Sequence, residues 1–279
     1  MKKVGLIDYY LDQYHAANYP HWLSEASNGE VQAVCAWAKI DKPDGKSNVQ
    51  CAEEMGVELL SSPEEVIERC DCLLVMSPDC PEMHEELCRL PLASGKPTYV
   101  DKTFAPSRAA AQRIIEIAAK SNTPFFSTSA LRYAKEYREL PREGIDFVSS
   151  RGPGMFSNYA IHQVEPIVCL MGTGVEKVMY TGTADTSFLV LRYRDGRCAT
   201  MAQMGWECSF AMDVSYRGGN FRAAEVKEEF YPPFIADLSQ FFRDGVARVA
   251  PEVTLEIITI LEYAWKAKET PDVWLKLPE

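Results

Sequence analysis

Positive charge is scarce in this sequence. Its 279 residues carry 29 Lys and Arg against 40 Asp and Glu, which gives a formal net charge of −11. A protein that binds nucleic acid needs a basic surface to neutralise phosphates, so the composition argues against a nucleic-acid partner. Long apolar runs are also missing, because no stretch reaches the length of a membrane span and the first apolar run is too short for a signal peptide. These absences favour a cytoplasmic protein without a membrane partner.

Paired cysteines and clustered histidines are lacking as well. The nine cysteines form no Cys-x-x-Cys pair, and several of them (Cys35, Cys72 and Cys169) stand inside apolar runs, where Cys behaves as a small hydrophobe. Reduced thiols in a cytoplasm fit this distribution. His15 and His21 are six residues apart, a spacing that does not put both on one helix face. We therefore predict no metal site.

Alternating strands and helices fill the first part of the chain. Gly56 is placed to end a helix, and Ser62-Pro-Glu-Glu65 is a capping box with Pro at the first helical position. The pattern predicts strands at 3–7, 31–37, 71–76, 99–101 and 124–127, and helices at 14–24, 47–55, 62–69, 81–93 and 107–120. Such alternation is typical of a parallel, doubly wound sheet.

After about residue 130 the pattern changes to strands with short connections. The segments 187–194 and 198–204 flank Asp195-Gly196, a strong hairpin signal. We predict further strands at 175–181, 208–216 and 220–226, and helices at 161–171, 233–249 and 251–268.

The length of the chain makes two domains the default. The sequence thus predicts an α/β Rossmann-like doubly wound parallel sheet, followed by an α+β domain with a mostly antiparallel open sheet. We expect the Rossmann-like dinucleotide-binding domain at 1–125 and the α+β substrate and oligomerisation domain at 126–279.

Lys102 stands where a predicted strand ends and the chain turns towards a helix capped by Ser107. Ligands of open α/β sheets bind at the carboxyl ends of the strands. Lys102 is therefore a candidate to hold a charge or a proton over a small molecule, although a solvated Lys at a strand end is the simpler alternative.

Four segments together resemble the glucose–fructose oxidoreductase / inositol dehydrogenase (Gfo/Idh/MocA) family. They are Val100-Asp-Lys-Thr103, Leu73-Leu-Val-Met-Ser-Pro78 with His84 after it, Ser129-Ala-Leu-Arg132, and Gly152-Pro-Gly154 followed by Asn158-Tyr-Ala-Ile-His162-Gln-Val-Glu165 and Gly172. The resemblance implies a Rossmann-like domain, an NAD or NADP cofactor and hydride transfer from a sugar-like or polyol substrate. It also implies that Lys102 and His162 are catalytic and face each other across the cleft between the domains.

The chain differs from this family at the positions that bind the pyrophosphate and the ribose of the cofactor. The Gly-x-Gly-x-x-Gly turn after the first strand lets backbone approach the pyrophosphate, but these places read Asp8-Tyr-Tyr10-Leu-Asp-Gln13. Trp37 stands where an acidic residue normally accepts from the ribose. Negative charge and bulk at the glycine positions predict that NAD(P) binds weakly or in an altered pose.

The remaining site residues follow from the resemblance. We expect the cofactor to lie against Asp8, Tyr9, Tyr10, Trp37, Ser77, Pro78, Asp101 and Lys102. The substrate is expected to contact Arg132, Asn158 and Tyr159. Arg132 is open to two interpretations, since it could anchor an acidic group or pair with a carboxylate, and the Tyr9-Tyr10 pair could stack on a ligand ring or simply pack. Asn158 replaces the family's Asp.

Two functions compete at this point. The first is an NAD(P)-dependent oxidoreductase with Lys102 and His162 at its centre. The second is a family member that has lost dinucleotide binding and acts as a small-molecule binding or regulatory protein. A cofactor-independent lyase or isomerase has no positive signal.

The second domain also predicts an oligomer. Both alternating sets of residues in its strands are apolar, Phe188 and Val190 on one and Leu189 and Leu191 on the other. Helices of the chain can cover one face of this sheet, so the other face requires a partner. A homodimer or higher homo-oligomer through the C-terminal sheet is the simplest solution, and it agrees with what the resemblance implies.

Overall fold

The chain folds into two compact units, each with its own sheet. A computed structural model describes residues 1–77, 79–183 and 185–278. The first unit comprises Met1–Thr128 and Pro232–Pro251, and the second comprises Ser129–Tyr231 and Glu252–Glu279. A single division near residue 125 does not describe these units, because the segment that begins at Pro232 packs with the N-terminal one.

The first unit holds a six-stranded parallel sheet in the order β3-β2-β1-β4-β5-β6. Its strands are β1 (Lys2–Asp8), β2 (Val31–Ala38), β3 (Glu58–Leu59), β4 (Cys72–Met76), β5 (Thr98–Val100) and β6 (Phe125–Phe126). Its helices are α1 (Tyr14–Ala26), α2 (Asn48–Met55), α3 (Pro63–Arg69), α4 (His84–Leu87), α5 (Arg89–Ala93) and α6 (Arg108–Ser121), with a 3₁₀ turn at Pro81–Met83. This is the predicted doubly wound arrangement.

Local signals set most of these boundaries. Ser47 and Ser62 each accept a backbone N–H at the start of a helix, and Gly56 ends α2 in the left-handed conformation at φ 68°. The predicted helix 81–93 is instead broken into three pieces. Pro91 has no N–H to donate to Leu87 and its ring crowds that carbonyl, so a continuous α-helix cannot pass this point.

The second unit holds a seven-stranded mixed sheet in the order β12-β11-β7-β10-β9-β8-β13. Its strands are β7 (Ile145–Gly152), β8 (Val175–Gly182), β9 (Ser187–Tyr193), β10 (Cys198–Gln203), β11 (Ala211–Tyr216), β12 (Phe221–Glu225) and β13 (Trp274–Lys276). The helices α7 (Lys135–Arg138) and α8 (Phe156–Met171) precede its hairpins, and a 3₁₀ turn covers Ala130–Tyr133. Every described pairing is antiparallel except the parallel pair β7–β10, so the mostly antiparallel prediction is confirmed.

One face of this sheet is fully buried. Leu189, Leu191 and Tyr193 of β9 are at most 1% exposed and belong to a core that includes residues of α8 and of α10 (Pro251–Lys268). The alternate residues Phe188 and Val190 are only half buried. The sheet thus has one closed face and one that is partly open.

The structure differs from the sequence-based expectation at three elements in the second half of the chain. Strand β7 was not predicted, because its polar residues give no clear alternation of apolar and polar positions. It forms by pairing with β10 and β11, which are far away in sequence. Helix α8 begins at Phe156 rather than at residue 161, since Phe156 is buried against Tyr180 and Trp265. Helix α9 (Tyr231–Asp244) stops before Gly245, whose φ of 69° ends it early.

Candidate functional site

In the first unit, the candidate residues gather at the carboxyl edge of the parallel sheet. Strands β1, β4 and β5 are neighbours, and Asp8, Ser77 and Asp101 stand at or just beyond their ends. The strand order reverses between β1 and β4, the position where open α/β sheets bind ligands. Lys102 follows Asp101 at this edge and is half buried.

Asp8 is a buried carboxylate at the end of β1. Its side chain has no exposed surface, and it accepts hydrogen bonds from the Tyr9 N–H at 2.7 Å and from Gln13 Nε2 at 2.8 Å. Burial raises the pKa of Asp8 to about 7, although these two hydrogen bonds and that of the Tyr10 N–H oppose the shift. Asp8 therefore changes charge near neutral pH.

Oxygen atoms of the protein itself accept from several backbone N–H groups of the turn between β1 and α1. Besides the Tyr9 N–H, the Leu11 N–H donates to Asn48 Oδ1 at 2.9 Å and the His15 N–H donates to Gln13 Oε1 at 2.7 Å. The Gln13 N–H donates to the Leu11 carbonyl at 2.7 Å. In a glycine turn such N–H groups face a phosphate, whereas here side chains fill that role.

Asp101 contacts a histidine that the sequence did not identify as its partner. Its Oδ2 lies 2.5 Å from His15 Nδ1, while Oδ1 accepts from the hydroxyls of Tyr19 and Tyr99 at 3.4 Å. Burial by itself would raise the pKa of Asp101, but His15 outweighs it and the pKa falls to about 2. His15 lies in the first turn of α1, the helix that follows β1, so the doubly wound topology was the signal that could have located it.

His84 holds the chain just after Lys102. Its Nδ1 lies 2.9 Å from the Thr103 carbonyl and 3.1 Å from the Phe104 carbonyl, so this nitrogen carries the proton and donates. Burial lowers the pKa of His84, which keeps the imidazole neutral. The peptide bond between Lys102 and Thr103 is cis.

The other expected cofactor residues lie around the same edge, apart from Pro78, which falls outside the described residues. The Tyr9 and Tyr10 rings are 5.5 Å apart, and Lys42 Nζ lies 5.5 Å from the centre of the Tyr10 ring. Ser77 is buried and donates to the Cys80 carbonyl at 2.7 Å. Trp37 lines a cavity of about 310 Å³ with Ile7, Pro63, Glu86, Leu87, Arg89 and Leu90.

In the second unit, helix α8 carries His162. Its Nδ1 lies 2.7 Å from Ser129 Oγ, and the Ser129 N–H donates to Glu165 Oε2 at 2.7 Å. The neighbouring Gln163 is 1% exposed and bonds to Ser150 and to the Ala202 carbonyl. These contacts fix the turn of α8 that presents His162.

The three expected substrate residues also belong to the second unit. Arg132 pairs with the buried Glu165 at 3.5 Å, which favours the carboxylate-pairing interpretation of this residue. Asn158 and Tyr159 lie in the first turn of α8, and the Tyr159 and His162 ring centres are 5.2 Å apart. The structure thus brings His162, Tyr159 and Ser129 together within this unit.

Comparison with known proteins places the first unit. Residues 4–129 match the sequence model of the family described as "Oxidoreductase family, NAD-binding Rossmann fold" (GFO_IDH_MocA). The matched segment, 126 of the 279 residues, is similar to the NAD-binding domain of the Gfo/Idh/MocA family. No curated relative matches the sequence.

Solved structures of Gfo/Idh/MocA-type proteins share the fold of the whole chain. A probable dehydrogenase from Thermotoga maritima superimposes with a TM-score of 0.82 at 17% identity, covering 98% of both chains. Myo-inositol 2-dehydrogenase from Lactobacillus plantarum gives 0.80 at 14% identity over 99% of each chain. The WlbA dehydrogenase from Bordetella pertussis, solved with NADH and UDP-GlcNAcA, gives 0.76 at 17% identity over 99% of each chain.

The Gfo/Idh/MocA family binds NAD, but the turn between β1 and α1 does not fit a pyrophosphate in the position that a glycine turn gives it. The N–H groups of Tyr9, Leu11 and His15 already have partners, and the buried Asp8 side chain lies beside this turn. A diphosphate at this place would lie close to the Asp8 carboxyl group, and repulsion opposes its binding wherever Asp8 is ionised. Within the described ranges, no group of His, Cys, Asp and Glu could hold a metal ion, and no helix is long and apolar enough to cross a membrane.

Proposed function

We propose that this chain is an oxidoreductase that acts on a hydroxyl-bearing carbon of a sugar-like or cyclic polyol compound. The observation that carries the proposal is the family match of residues 4–129, with Lys102 at the carboxyl edge of the matched sheet. Solved structures of the same fold include a myo-inositol 2-dehydrogenase and a dehydrogenase in complex with NADH and UDP-GlcNAcA, which supports the choice of substrate class.

The assigned chemistry concerns the hydroxyl proton. Oxidation of an alcohol requires that this proton leave the oxygen, and histidine is suited to accept it near neutral pH. His162 is the base, held by Ser129, and the Lys102 ammonium stabilises the negative charge that develops on the oxygen. This assignment requires both side chains to act on one substrate, and that convergence is a prediction from the resemblance.

Substrate contacts are assigned to the first turn of α8 and its surroundings. Asn158 and Tyr159 precede His162 on the same helix, so a compound at His162 would lie within reach of both. Arg132 is assigned to the wall of the site, where its pairing with Glu165 positions the Ser129 segment.

The family implies a nicotinamide cofactor, NAD or NADP, as the hydride acceptor. Its affinity is expected to be weak because several N–H groups of the β1–α1 turn already donate to oxygen atoms of the protein. The same observation favours a second candidate function, a small-molecule binding or regulatory protein that has lost dinucleotide binding.

Isothermal titration with NADH and with NADPH separates the two candidates. An oxidoreductase is expected to bind one of them with a Kd weaker than low micromolar, whereas the second candidate binds neither at millimolar concentration and still binds polyols. A low-micromolar Kd, with the pyrophosphate seated on the β1–α1 turn in a crystal, would contradict the expected weak or altered binding.

A first prediction concerns Lys102→Ala. Loss of the cation should lower turnover by about 10²-fold or more, since it removes stabilisation of the developing charge, while the melting temperature changes little because Lys102 is half exposed. Polyol-dependent reduction of NAD(P)⁺ measures the rate, and Lys120→Ala on the exposed side of α6 is the matched control. Equal rates in the two variants would remove Lys102 from the reaction.

A further inference from the structure

An exposed tryptophan stands at the tip of a well-anchored loop in the second unit. Trp206 is 61% exposed, although it is the largest side-chain type. The loop between β10 and β11 is held by hydrogen bonds from the Met204 N–H to the Gly152 carbonyl at 2.8 Å and from the Cys208 N–H to the Gly205 carbonyl at 2.9 Å. Backbone bonds therefore fix the turn that carries Trp206.

Trp206 continues a row of rings that leads to His162. Its ring centre lies 5.0 Å from that of Tyr159 at an interplanar angle of 85°, and Tyr159 lies 5.2 Å from His162 at 70°. Phe210 closes the other side of His162 at 6.2 Å. These edge-to-face arrangements are the ones that aromatic pairs prefer, so the rings support one another.

The two glycines of the Gly152-Pro-Gly154 motif leave the space that two of these rings occupy. A Cβ on Gly154 would come within 2.5 Å of Tyr159 Cγ, and a Cβ on Gly152 within 2.6 Å of Phe210 Cδ1. Only glycine leaves room for the rings at these places. The motif thus serves the aromatic group around His162.

A polar acceptor accompanies the rings. The Asn158 Oδ1 atom is buried and has no hydrogen-bond partner among the described residues. Asn158 stands four residues before His162, one turn away on the same side of α8. Buried amide oxygens normally accept a hydrogen bond, so this atom indicates a missing donor.

We infer that Trp206 and Tyr159 form a stacking surface for a ring-shaped, hydroxyl-rich ligand, with Asn158 accepting one of its hydroxyls. The C–H face of such a ring is weakly positive and is attracted to the negative face of an aromatic ring, while its hydroxyls at the rim need polar partners. A flexible acyclic polyol offers no flat face and loses more conformational freedom on binding. The inference deepens the proposed function, because it makes Trp206 the residue that selects ring-shaped ligands. That this ligand is the substrate rests on the proposed function.

Direct binding tests this without any cofactor. We would titrate the protein with myo-inositol and with methyl β-D-glucopyranoside, using sorbitol as the acyclic counterpart of myo-inositol with the same numbers of carbons and hydroxyls. Ligand-observed NMR and calorimetry give the Kd. The variants are Trp206→Ala and Trp206→Phe, and Trp274→Ala, at another partly exposed tryptophan, is the control.

The ring probes should bind the wild type more tightly than sorbitol does. Trp206→Ala should weaken ring binding about tenfold, while Trp206→Phe stays within about threefold because it keeps an aromatic face, and Trp274→Ala should have no effect. Equal ring affinity in Trp206→Ala and wild type would overturn the inference, as would the absence of binding of either ring probe.

Two further outcomes separate this inference from its alternatives. If Trp206→Ala changes the mass in light scattering and leaves ring binding intact, Trp206 belongs to a contact between copies and the inference fails. If ring binding depends on Trp206 but no NAD(P)-linked oxidation is found, the stacking surface stands and the proposed oxidoreductase function fails.

Discussion

At the residue scale, two buried carboxylates of the first unit have opposite protonation behaviour. Asp8 has a pKa of about 7 because burial dominates, whereas Asp101 has a pKa of about 2 because His15 outweighs burial. The difference follows from their surroundings. Asp101 contacts His15 and lies near Lys102, while Asp8 accepts from the Tyr9 N–H and from Gln13 and has Asp101 as a charged neighbour. At neutral pH only Asp101 is fully ionised.

This difference predicts how stability depends on pH. The folded state binds a proton at Asp8 more tightly than the unfolded state, so between pH 3.8 and about 7 the folded chain holds more protons and stability falls as pH rises. Above pH 5, Asp101 is ionised in the folded and in the unfolded chain, so it does not contribute to the pH dependence of stability there. When the pH rises from 5 to 8, the wild type should therefore lose about 2–3 kcal/mol of its free energy of unfolding through Asp8, a loss that Asp8→Asn should not show.

Urea unfolding of the wild type and the variant at pH 5 and pH 8 measures this change. Asp146→Asn, at an exposed position of β7, is the matched control and should show no such dependence. If the midpoints of wild type and Asp8→Asn keep a constant separation at both pH values, Asp8 does not titrate in the way described.

At the element scale, close packing of α3 on β1 depends on one glycine. A Cβ on Gly5 would lie 2.3 Å from Val66 Cγ1 and 3.0 Å from Cys70 Sγ. A glycine inside a strand often marks such a close approach. The contact determines how near α3 can lie to the sheet.

Gly5→Ala should therefore destabilise the protein by about 1–3 kcal/mol, since the extra methyl group must displace α3. The double variant Gly5→Ala/Val66→Ala should lose less stability than the two single variants lose together, because Val66→Ala makes space for the added methyl group. Gly205→Ala is the control, as its Cβ would meet nothing within 4 Å. Additive losses in thermal unfolding would show that this contact does not limit the packing.

At the scale of the whole molecule, the partly open face of the second sheet predicts self-association. Phe188, Val190 and Met179 lie on that face and are half buried. Apolar patches of this kind commonly mark protein contacts, and a two-fold symmetric contact closes on itself. A homodimer through this sheet thus stays our prediction.

Val190→Glu should shift the mass to that of a monomer, 31.4 kDa, because it places a charge in the apolar contact. Light scattering at tens of micromolar protein measures the mass. Val49→Glu makes the same change at an exposed valine of the first unit and should leave the dimer intact. A wild-type protein that is already monomeric at this concentration would rule out the predicted assembly.

Much of the fold was predictable because its signals are local. Apolar runs, caps such as Ser62 and the turn at Gly56 need only a few neighbouring residues, and the hairpin at Asp195-Gly196 needs two adjacent strands. Strand β7 was missed since neither of its partners is near it in sequence. The break at Pro91 was a local signal that the apolar run around it concealed.

The sequence by itself determined the alternation of strands and helices in the first unit, the family resemblance and the loss of the glycine turn, because each depends on residue types in succession. Only the tertiary structure decided that Asn48 accepts from the Leu11 N–H of that turn and that His15 contacts Asp101 across 86 residues. It also decided that Gly152 and Gly154 seat the rings beside His162. These features depend on burial and on contacts between distant segments, which no local pattern of residues encodes.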